Sequence, residues 1–76
     1  MGISKTTEAL NRLETSNPEV YKFLTECWSE SFTGTLTNGD FDDRVWKAKI
    51  DWLKDQESYK DIDFVISSIK LNISSQ

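Results

Sequence analysis

Among its 76 residues the chain has no histidine, one cysteine and one proline. Each scarcity removes a class of chemistry. Without histidine, the commonest general base and zinc ligand are gone, and so are the usual nucleophile–histidine triads. A lone thiol, Cys27, forms no internal disulfide, so a reducing, cytoplasmic setting is expected. No apolar run approaches the ~18 residues of a membrane span, and no charged-then-apolar leader precedes the first predicted helix. The Asn72-Ile73-Ser74 sequon then reads as incidental. Of the three glycines, Gly34 and Gly39 lack the lysine and spacing of a phosphate cradle. Met1-Gly2-Ile3-Ser4-Lys5-Thr6 matches the N-myristoylation pattern, but no basic cluster follows to supply a second membrane signal.

Aromatic residues are plentiful instead: three Trp, four Phe and two Tyr. Each can bury roughly 150–250 Å², worth a few kcal/mol at about 25 cal/mol/Å². That is enough to hold one small domain, residues 1–76, without metal or disulfide. A chain of this length buries only about 60% of its unfolded surface, so self-association would help its stability. The net charge is −4, from 13 acids and 9 bases. Such a surface repels nucleic acid and anionic membrane.

Hydrophobic spacing predicts an all-α fold, a small bundle of three to four helices near 4–15, 18–32, 40–56 and 59–73. Ser4 or Thr6 is a candidate cap for the first, whose apolar side is Ala9, Leu10 and Leu13. Asn17-Pro18-Glu19 is the clearest start signal: a capping side chain, proline at the first helical position, then an acid. Val20, Phe23, Leu24, Cys27, Trp28 and Phe32 line one side of the second helix, which Gly34 ends. Asp40 is the expected cap of the third and Ser58 of the fourth. Tyr59, Ile62, Val65, Ile66, Ile69 and Ile73 line the fourth. Its end is β-branched, and Ile69, Leu71 and Ile73 also alternate as in a strand, so residues 69–73 carry a competing strand reading.

The third helix holds the most information. At about 100° per residue, Phe41, Val45, Ala48 and Trp52 form one stripe, while Trp46, Ile50 and Leu53 form another about 120° away. Such a helix is either central to a bundle or shows one stripe to a partner. The expected function is therefore a small acidic regulatory or adaptor protein. Its binding face would be Trp46, Ile50 and Leu53 with Lys49 at the rim, and its partner another protein or a second copy. The alternative is an acidic mimic of nucleic acid, an inhibitor of the virus-encoded type, in which Asp40, Asp42, Asp43, Asp51 and Asp55 stand in for phosphates.

Enzymatic chemistry, metals and cofactors are not expected. Cys27 lies on an apolar helix side, where a thiol is inert. The acids Asp40, Asp42 and Asp43 follow Gly39 rather than preceding it, and Val45 stands where a calcium loop needs glutamate. They suit the positive start of a helix instead. Glu26 and Glu30, one turn apart, have no acid-rich counterpart elsewhere.

Overall fold

Side-chain caps mark three of the four helix starts. Ser4 Oγ accepts from Thr7 N–H at 3.2 Å. Asn17 closes one helix, its N–H donating to the Leu13 carbonyl at 2.8 Å. It opens the next, its side chain accepting from Val20 N–H at 3.4 Å, with Pro18 at the first helical position. The computed structural model describes residues 4–52 and 58–75, apart from the side chains of 49–52. It contains α1 (Lys5–Ser16), α2 (Pro18–Ser31), α3 (Asn38–Trp52) and α4 (Tyr59–Ser74), with no strand among the described residues.

Two sequence expectations need correction. Asp40 does not cap α3. The helix begins at Asn38, and Thr37 Oγ1 accepts from Asp40 N–H at 3.1 Å. Thr37 offers an acceptor three residues earlier, and Asp40 becomes the acid of the first turn. Ser58 stands at the N-cap position of α4 as expected, but its side chain makes no capping hydrogen bond. Its hydroxyl donates to Ser16 Oγ at 2.9 Å, joining the start of α4 to the end of α1. Residues 69–73 belong to the fourth helix, as expected over 59–73, and not to the competing strand. Ile62, Val65 and Ile69 are buried together at helical spacing, and that burial outweighs the β preference of the segment.

α4 is the helix that the other three all touch. It runs antiparallel to α1, because Thr6 donates to Ser68 Oγ at one level and Arg12 reaches Asp61 at another. It also runs antiparallel to α3, where Asn38 meets Ser74 and Asp42 meets Lys70. The core collects Ala9, Leu10 and Leu13 of α1 with Val20, Leu24 and Cys27 of α2. Phe41 of α3 and the three buried residues of α4 complete it, together with Leu36 from the loop before α3. Gly34, at φ 77°, makes the turn that starts this loop, in a backbone region that disfavours other residues.

Candidate functional site

The two stripes of α3 have different fates. Phe41 is wholly buried, and Val45 and Ala48 pack half-buried against the core. Trp46, 140° around the helix from Phe41 at about 100° per residue, is 77% exposed. Burial of Phe41 in the core sets the orientation. Exposed polar contacts on the side of α3 nearest its neighbours agree with it. Asn38 Nδ2 donates to Ser74 Oγ at 3.3 Å. Asp42 pairs with Lys70 at 2.8 Å. Arg44 donates to Glu30 of α2 at 2.5 Å. That rotation carries Trp46 outward.

Of the expected binding face, Trp46 is placed on the surface. The helix continues through residues 49 and 50, but the side chains of Lys49 and Ile50 lie outside the described residues, as does Leu53 entirely. Within the acidic alternative, Asp40, Asp42 and Asp43 are exposed. Asp55 and the side chain of Asp51 lie outside the described residues. The located carboxylates are interleaved with cations: Lys70 at Asp42, Arg12 at Asp61 and Arg44 at Glu30.

Among the described residues four further large hydrophobic side chains are exposed, Phe32, Tyr59, Phe64 and Leu71, and the sequence pattern singled out none of them as a site residue. Leu71 is 71% exposed and follows Lys70, the partner of Asp42, in the chain. Phe32 is 58% exposed, its ring edge-on to Trp28 at 4.7 Å between centroids. Helical spacing had placed Phe32 on the apolar side of α2. The helix stops one residue before it, and the core extends instead through Ser31. Only a tertiary partner explains a serine there: Asn72 donates to its hydroxyl at 2.7 Å.

Chemistry elsewhere is sparse. Cys27 is buried, and burial pushes its thiol up from the ordinary value, opposed by a hydrogen bond from Arg44. A protonated, enclosed thiol is a poor nucleophile. Among the described residues no three acids or thiols gather as a metal site. An open cleft of about 300 Å³ between α1 and α4 is lined by Lys5, Glu8, Arg12, Lys60, Asp61 and Phe64. Its two central charges, Arg12 and Asp61, satisfy each other through two hydrogen bonds at 2.8 and 3.0 Å.

Among the described residues, no helix is long and apolar enough to cross a membrane. No family model matches the chain, no curated protein matches its sequence and no solved structure matches its fold.

Proposed function

We propose that this chain is a small regulatory or adaptor protein that acts by contact with another protein, using the Trp46 face of α3. The observation that carries the reading is an indole 77% exposed on a helix whose opposite side is buried. An exposed tryptophan keeps a large apolar area in water, and covering it is worth a few kcal/mol at about 25 cal/mol/Å². Tryptophan is also the residue most enriched at binding hot spots. The sequence pattern adds Ile50 and Leu53 to this face, with Lys49 at its rim, and these three side chains lie outside the described residues. The reading needs no cofactor, no direct contact with nucleic acid and no membrane, and it suits a cytoplasmic protein.

Affinity capture from the native host with wild type and Trp46→Asp in parallel tests it. Circular dichroism first establishes that the variant keeps its helices. A partner retained by wild type and lost from the variant is expected. Identical proteins retained by both would remove Trp46 from the account. The acidic-mimic reading is less well supported, because Asp42, Asp61 and Glu30 already carry basic partners. It requires capture of a nucleic-acid-binding protein that is released steeply by added salt.

A further inference from the structure

We infer that the occupant of the Trp46 face is a second copy of this chain, with the two α3 helices antiparallel about a two-fold axis beside Trp46. The inference rests on the reading of that face as a contact surface and adds the identity of the partner. Its basis is the polarity of charge along α3. Asp43 lies about one turn before Trp46, whereas Lys47 directly follows it. At about 100° per residue, Asp43 and Lys47 share one flank of the indole.

A two-fold axis perpendicular to the helix reverses chain direction and preserves the flank. Asp43 therefore meets Lys47 of the second copy, displaced by about 3 Å along the helix at 1.5 Å per residue. Symmetry repeats the pair, so two oppositely charged contacts flank two stacked indoles. A parallel arrangement sets Asp43 against Asp42 of the second copy, which selects the antiparallel one.

The monomer leaves these groups available. Asp43 and Lys47 are exposed and take part in none of the ion pairs among the described residues, although they stand four apart on one helix. Gly39, two turns before Trp46 on the same face, has nothing within 4 Å of where a Cβ would stand, which leaves room for a second helix.

Sedimentation equilibrium of the full chain from about 10 µM to about 1 mM, a range that brackets weak self-association, tests the inference. Wild type should show a monomer–dimer equilibrium that weakens with added salt, because the flanking charges are solvent-facing. Asp43→Lys and Lys47→Asp should each raise the dissociation constant about tenfold, since each reverses two symmetric contacts. The double variant should return to within a few-fold of wild type. A wild type that stays monomeric throughout overturns the dimer, as do single variants that associate like wild type or a double variant that fails to recover. A monomeric wild type that still binds a different protein through Trp46 removes the dimer alone and leaves the contact reading standing. Identical capture by wild type and Trp46→Asp removes both.

Discussion

Phe41 and Trp46 stand five residues apart on α3, one fully buried and the other 77% exposed. Large-to-small replacement in a core costs about 3–5 kcal/mol for phenylalanine, so Phe41→Ala should unfold at a far lower denaturant concentration than wild type. Surface changes usually stay within about 0.5 kcal/mol, and Trp46→Asp should keep the wild-type midpoint. Urea titrations followed by circular dichroism measure both. The opposite ordering would mean that the indole, not the phenyl ring, anchors the helix.

A second prediction concerns alkaline stability. Burial holds the Cys27 thiol above its ordinary value of 9.0, partly offset by Arg44. The unfolded chain therefore loses this proton at lower pH than the folded one. The stabilising contribution is complete below the unfolded value and is lost as pH rises toward the folded value. Wild type should lose stability between neutral pH and about pH 10 more steeply than Cys27→Ala. Equal slopes would mean that the thiol titrates alike in both states. For the same reason, native Cys27 should react slowly with a thiol reagent and quickly once denaturant opens the chain.

The bond between Asn72 and Ser31 ties α4 to the end of α2. The Ser31 hydroxyl in turn donates to the Trp28 carbonyl at 2.6 Å. Removing one partner of a sheltered hydrogen bond costs about 1–3 kcal/mol, and Asn72→Ala should fall in that range. Combined with Ser31→Ala, it should cost less than the two changes added, because both remove the same contact. Strict additivity in a thermal or urea denaturation cycle would show the bond to be idle.

Thr25 offers a change of the opposite sign. Its hydroxyl oxygen is buried with no hydrogen-bond partner among the described residues. A sheltered hydroxyl without a partner costs about 1–3 kcal/mol by mutational measure. Valine has nearly the same shape and no such atom, so Thr25→Val should raise the urea midpoint. A lower midpoint would show that the hydroxyl has a partner in solution.

How far the sequence reached depended on whether the deciding contact was local. The break between α1 and α2 was legible because Asn17 and Pro18 settle it within a few residues. The start of α3 was misread because Asn38-Gly39 resembles a turn and Asp40 is a good cap. Thr37 performs that task with an equally local hydroxyl, and no pattern ranks one above the other. Residues 69–73 balanced strand against helix until burial of Ile69 beside Val65 decided. The double stripe of α3 was visible from periodicity alone. Which stripe faces outward was not, because the core that receives Phe41 is built mostly by the other three helices. Leu36 has no periodic context and gave no sign of its burial.

The most direct test of the account is fluorine NMR of protein made with fluorotryptophan, the Trp46 signal being assigned from Trp46→Phe. In dilute protein that signal should shift between light and heavy water almost as much as the free amino acid does. On saturation with its protein partner, whether a second copy at high concentration or a captured host protein, it should lose most of that solvent shift. A Trp46 signal already shielded in the dilute monomer, or one that stays fully solvated when the partner is bound, would contradict the account.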